Sequence, residues 1–184
     1  LLNYAFETAS EAFAAYPDKS IEIGKALQVL AKKAGIYGMI GGQVVDVESV
    51  GSAVPKEVLD FIYELKTSAL IESSMMIGAI LAGASEKDVQ TIEQIAKRVG
   101  IAFQIQDDIL DVTSTTEVLG KPVLSDEKND KSTYVTLVGL ENAKSYVENI
   151  SMEAIQKLRH YETKDLFLED LLKAAEGSDV IIAL

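Results

Sequence analysis

The stretch FQIQDDILDV, residues 103–112, places three carboxylates, Asp107, Asp108 and Asp111, inside an otherwise apolar run. On a helix, Gln104, Asp107, Asp108 and Asp111 fall at i, i+3, i+4 and i+7, which is one stripe. Ile101, Ala102, Ile105, Ile109 and Val112 cover much of the remaining surface. A helix that is apolar on most sides is buried, so the stripe is expected to face an interior cavity or a cleft. The alternative, a solvated acidic face at the start of a loop, is disfavoured by the apolar flanks and Gln104. Carboxylates this close raise one another's pKa unless cations neutralise them. The chain already carries a formal charge of -12, so the stripe serves no need for solubility. Hard divalent ions with oxygen ligands would offset it, and Mg²⁺ typically takes one or two carboxylates together with water and phosphate oxygens.

The rest of the chain can build helices around such a space. Apolar residues recur at helical spacing over residues 3–16, and Pro17 stops that run. Ser20 is placed to cap a second helix running toward Val47, whose Gly35, Gly38, Gly41 and Gly42 cost propensity unless another backbone or a ligand comes close. Pro55 suits a helix start, and residues 56–82 continue unbroken to Gly83. Ser85 with Asp88 resembles a capping box opening a helix that runs to Val112. Residues 113–131 form the long polar segment, and two or three helices follow from about Ser132 to Ala175. No strand alternation precedes the last residues. The expectation is an all-α protein, a single helical domain over residues 1–184.

Composition narrows the function. The 184 residues are 48% hydrophobic, which suits a globular core. No cysteine is present, which excludes disulfides and thiolate metal sites and fits a reducing cytoplasm. No apolar stretch is long enough to span a bilayer. An acidic chain disfavours nucleic acid as a partner, because phosphate contacts need clustered Lys and Arg. A few placed lysines or metal ions can still reverse the local sign for a phosphate ligand.

Three further segments point to one anionic ligand. Lys66-Thr67 lies in a largely apolar helix, where a lysine is unusual unless its head reaches a polar site. Gln43 and Asp46 in GGQVVD share a helix face beside the glycine pair. The segment LGKPVLSDEKNDKST brings Lys121, Asp126, Lys128 and Lys131 soon after the acidic stripe. Singly, Lys66 could snorkel, the glycines could pack helices and the polar segment could be merely solvated. Together they suit a diphosphate held by metal ions and lysines.

GMIGGQVVD, the KTS of Lys66–Thr67–Ser68, FQIQDDILDV and GKPVLSDEKNDKSTYVTLVGLE, in this order, resemble the trans-isoprenyl diphosphate synthases of the bacterial farnesyl or geranylgeranyl type. The likeness extends from Leu1 to about Leu172. It implies a bundle of long helices around a deep central cavity, homodimers, and Mg²⁺ bound with the diphosphate of an allylic substrate. By that resemblance Asp107, Asp108 and Asp111 are metal ligands, with Asp107 the most direct. Lys66, Lys121 and Lys131 contact the diphosphate, Gln104 lies beside it, and Thr67 and Phe103 line the site. Gln43 and Asp46 support the cluster from the facing helix, and Lys66, Asp107 and Lys121 carry the chemistry. His160, the lone histidine, is expected at the surface.

The implied reaction joins an allylic diphosphate (dimethylallyl or geranyl) to isopentenyl diphosphate, giving farnesyl diphosphate. Geranylgeranyl diphosphate is the alternative product, and a non-catalytic subunit of a heteromeric synthase the alternative role. The family's first aspartate-rich motif and the residues that grip isopentenyl diphosphate do not occur in this sequence. The chain is therefore expected to be the C-terminal two-thirds of a synthase and inactive alone. Its end, AAEGSDVIIAL, departs from the basic helix usual in the family.

Overall fold

A computed structural model describes residues 1–115 and 132–159, and among them every regular element is helical. The first expected helix forms as α1 (Leu2–Ser10) and the short α2 (Ala12–Ala15), ending before Pro17. Helix α3 (Ser20–Ala34) begins at Ser20, but Ser20 is its first helical residue rather than its cap, the hydroxyl donating back to the Pro17 carbonyl, and the helix does not reach Val47. The chain turns through Gly35 and Gly38 and restarts as α4 (Met39–Glu48). At Gly38 a Cβ would come within 1.9 Å of the Lys33 carbonyl oxygen, so this turn closes only around glycine. The propensity cost of the glycines is thus spent on a break rather than on a strained continuous helix.

Pro55 sets the start of α5 (Lys56–Ile62). The helical path then loosens into one π turn (Tyr63–Ser68) before resuming as α6 (Ala69–Leu81). The expected single helix over residues 56–82 is therefore interrupted in its hydrogen bonding at the Lys66-Thr67 pair. Gly83, at φ 82°, lets the chain reverse. Ser85 then caps α7 (Glu86–Thr113), its hydroxyl accepting from the Asp88 N–H at 3.2 Å. Beyond the undescribed segment come α8 (Tyr134–Val138), opened by a Thr133–Thr136 capping box, and α9 (Leu140–Arg159). The expectations for residues 116–131 and 160–184, His160 among them, lie outside the described residues.

Helix α7 is the central post: α6 and the π turn pack on one side of it and α9 on another, while α3 lies against α6 and α4 against the π turn. Ile105, at 0% exposure, and Ile109 join Leu59, Ile62, Tyr63, Tyr134, Ala143, Val147 and Ile150 in the main core. A second cluster, Ile95 with Ala154, Ile155 and Leu158, shows that α9 runs back along α7 in the opposite direction. Arg98 to Glu153, at 2.9 Å, and Lys157 to Gln94, at 2.7 Å, stitch the exposed edge of that pair.

One charged group is set deep in the α3–α6–α7 packing. Glu72, 4% exposed, pairs with Lys33, which also donates to Glu93 at 2.6 Å. Burial pushes the Glu72 carboxyl above its usual range, against the opposing pull of Lys33. A carboxyl raised by folding stabilises the fold fully below its unfolded pKa, and that contribution is lost as pH rises through the folded value. Removing the cation raises the carboxyl further. Lys33→Met is expected to cost about 3 kcal/mol at pH 8 and clearly less at pH 5, read by denaturant unfolding at both pH values.

Candidate functional site

The π turn is the first element that shapes the site. Its wider winding lets the Ser68 hydroxyl reach back to the Tyr63 carbonyl at 3.0 Å, and such one-turn bulges recur at functional sites. Two glycines fix where it sits. A Cβ on Gly42 of α4 would lie 2.3 Å from the Lys66 amide nitrogen, and one on Gly100 of α7 would lie 2.5 Å from the Ser68 Cα. The backbones of α4 and α7 therefore press on the turn from two sides, which answers for Gly42 what the glycine run is for.

Held there, the turn aims two side chains at the acidic helix and its neighbour. The Lys66 ammonium donates to Asp46 Oδ2 at 2.7 Å, and the Thr67 hydroxyl donates to Gln104 Oε1 at 2.8 Å. With its oxygen engaged by Thr67, Gln104 keeps its amide N–H groups as donors. A cavity of about 130 Å³ opens between these elements, lined by Asp46, Lys66, Gln104, Asp107, Asp108 and Tyr63, with Ser132 and Thr133 closing one side. Five of the residues singled out in the sequence thus meet around one polar space.

The others are distributed differently. Phe103 is half-buried and Gln43 is exposed, and neither borders the cavity. Asp107 is half-buried at the cavity, whereas Asp108 and Asp111 are 3% and 2% exposed. Asp108 Oδ2 accepts from the Tyr63 hydroxyl at 2.5 Å and from the Tyr134 N–H at 2.8 Å. Asp111 does not line the cavity. Lys121 and Lys131 lie outside the described residues. Among the described residues no group of three or more His, Cys, Asp or Glu side chains could hold a metal ion by itself.

Two tyrosines beside the acidic stripe escape the sequence reading. Tyr63 and Tyr134 are buried with their rings 6.0 Å apart, and Tyr134 stacks on Tyr146 at 5.5 Å. The Tyr134 hydroxyl donates to Asp60 at 3.0 Å, and Lys56 in turn donates to Asp60 at 2.7 Å. Burial holds the Tyr134 phenol up at about 12, with Asp60 adding to the rise against Lys56, so at neutral pH it is the donor. The available signal was general: a buried tyrosine hydroxyl needs a partner, and Tyr63 lies one turn before Lys66.

The site thus lies in an all-helical bundle, where a lysine-bearing π turn packs against an aspartate-bearing helix. The family model described as Polyprenyl synthetase matches residues 2–172. The chain is 41% identical over 165 residues to a chloroplastic geranylgeranyl pyrophosphate synthase of Capsicum annuum, covering 89% of this chain and 44% of the relative. It is 43% identical over 145 residues to a farnesyl diphosphate synthase of Bacillus subtilis, covering 74% and 49%. A solved geranyltransferase of Helicobacter pylori, complexed with magnesium and isoprenyl diphosphate, superposes with TM-score 0.78 at 30% identity, over 94% of this chain and 55% of that one. The chain belongs to the polyprenyl synthetase family. It spans about half the length of these relatives. Among the described residues, no helix is long and apolar enough to cross a membrane.

Proposed function

We propose that the protein containing this chain is a Mg²⁺-dependent prenyltransferase that extends an allylic diphosphate by one isoprene unit from isopentenyl diphosphate. The observation that carries this is the cavity in which Lys66, held by Asp46, faces Asp107 and Gln104. The donors suit Mg²⁺ arriving with a phosphate ligand: Asp107 offers a hard carboxylate oxygen, and that ion habitually completes its shell with water and phosphate oxygens. Asp107 would hold it, with Asp111 of the same stripe as the further candidate. Bound there, the ion would supply Lewis-acid neutralisation of a diphosphate.

The chain's own residues do the rest. Asp46 fixes the Lys66 ammonium at the cavity wall, so little ordering is left when an anion binds. Lys66, with Lys121 and Lys131, neutralises charge on the departing pyrophosphate as the allylic C–O bond breaks. Thr67 holds Gln104 so that its amide N–H groups can donate to the same oxygens. The isopentenyl double bond then forms the new C–C bond, and the proton lost goes to the departing pyrophosphate. Phe103 and Gln43 would serve as packing and outer support. We further propose a homodimer acting in the cytoplasm.

The complete protein, given geranyl and isopentenyl diphosphates, is expected to release pyrophosphate and form farnesyl diphosphate only with Mg²⁺, as read by chromatography of the products. Geranylgeranyl diphosphate as the main product would revise the chain length alone. No condensation at saturating Mg²⁺ would overturn the reading.

A further inference from the structure

Asp108 sits where three elements meet. The Tyr63 hydroxyl, from the first residue of the π turn, and the Tyr134 N–H, from the first residue of α8, both donate to its Oδ2. The same π turn carries Lys66 and Thr67 to the cavity, and the two residues before Tyr134, Ser132 and Thr133, close the cavity's other side. Asp108 itself stands next to Asp107 on α7. One buried carboxylate oxygen therefore ties the lysine-bearing turn, the aspartate helix and the segment at residues 132–134 to a single point. Tyr134 is fixed at its far end as well, through its hydroxyl on Asp60 and its ring on Tyr146.

Resting on the prenyltransferase reading, we propose that Asp108 is a positioning residue that, with Tyr63 and the Tyr134 N–H, holds Lys66, Asp107 and residues 132–134 in register around the cavity, and is not a ligand of the cation. The sequence stripe gives all three aspartates one role; the structure divides them. The hydrogen bonds also supply a discriminating substitution. Because both donors converge on one oxygen, an asparagine amide oxygen can accept both, so Asp108→Asn removes the charge and keeps the joint. A metal-ligating carboxylate would lose its charge toward the cation in the same exchange, and the Mg²⁺ requirement would rise.

The test compares Asp107→Asn, Asp108→Asn, Asp108→Leu and Tyr63→Phe in the complete protein. Asp108→Asn is expected to keep kcat within about tenfold and the Mg²⁺ concentration for half-maximal rate within about twofold, since the oxygen that accepts from Tyr63 and Tyr134 is kept. Asp108→Leu is expected to speed exchange of the Tyr134 amide hydrogen by at least about tenfold, while Asp108→Asn leaves it protected. Tyr63→Phe should lower Tm by roughly 4 °C and kcat about fivefold, with the Mg²⁺ requirement unchanged. If Asp108→Asn raises the Mg²⁺ requirement as Asp107→Asn does, Asp108 is a metal ligand and the proposal falls. Equal Tyr134 exchange in Asp108→Leu and wild type overturns it too. A wild-type protein without prenyl transfer would instead sink the functional reading, and the exchange and Tm measurements would still decide whether the joint exists.

Discussion

Asp107→Asn is expected to lower kcat about a thousandfold or more in the complete protein while moving Tm by no more than about 2 °C. The two halves of that expectation come from where the side chain sits. Asp107 is half-buried at the cavity, and its neighbour Asp108 supplies the carboxylate that ties α7 to the π turn and α8. Removing the Asp107 charge therefore leaves the joint between the elements in place. On the functional side, a carboxylate contact to a divalent ion that neutralises a leaving pyrophosphate is worth several kcal/mol, and each 1.36 kcal/mol is tenfold in rate, so three decades is the scale. Steady-state kinetics with varied Mg²⁺ should show that added metal recovers part of the loss. Glu141→Gln, on the exposed face of α9, is the control expected to change nothing. A thousandfold loss accompanied by unfolding would mean that Asp107 acts through the fold, and a loss under tenfold would remove it from the metal site.

Much of this could be read from the residues before any coordinates. The capping box at Ser85 and Asp88 and the uninterrupted apolar periodicity place α7 to within a residue, because a long periodic helix is over-determined by its own pattern. The acidic stripe also implied its own cavity: a helix apolar on most sides can carry carboxylates only where the packing leaves polar space. What stayed hidden was set by contacts distant in sequence. The break between α3 and α4 depends on how closely the chain must fold back at Gly38, which propensity alone does not reveal. The π turn is still less visible. It is a single turn within an otherwise helical path, and the backbones that press on it approach at Gly42 and Gly100, on two other helices.

The same limit explains the aspartates. Spacing shows that Asp107, Asp108 and Asp111 share a face, but it cannot show that Tyr63, forty-five positions away, and Tyr134, twenty-six away, claim one of them. Nor does it separate Asp46, paired with Lys66, from Gln43 three residues earlier, which is exposed. Hydrogen-bond partners across elements decide both cases, and helical periodicity carries no record of them.

The largest stability loss is expected from Gly100→Val. Alanine at a helix interior gains roughly 1 kcal/mol over glycine in propensity, so a substitution here would help α7 if space allowed. Space does not allow it: the first added carbon would lie 2.5 Å from both the Cα and the hydroxyl oxygen of Ser68, which is itself fully buried. A backbone atom cannot swing aside as a side-chain tip does. Overpacking of this kind costs about 1–3 kcal/mol and sometimes more, and the two further methyl groups of valine enlarge the conflict. We therefore expect about 2 kcal/mol for Gly100→Ala and at least about 4 kcal/mol for Gly100→Val, a large share of the 5–15 kcal/mol typical of a whole domain. Denaturant unfolding of both variants checks the values. Because the displaced atoms belong to the turn carrying Lys66 and Thr67, Gly100→Ala should also cut kcat beyond what its stability explains. Gly42→Ala, pressing on the Lys66 backbone from the opposite helix, should do the same. If Gly100→Ala proves neutral or stabilising, the close approach of α7 to the π turn is not what holds that turn in place.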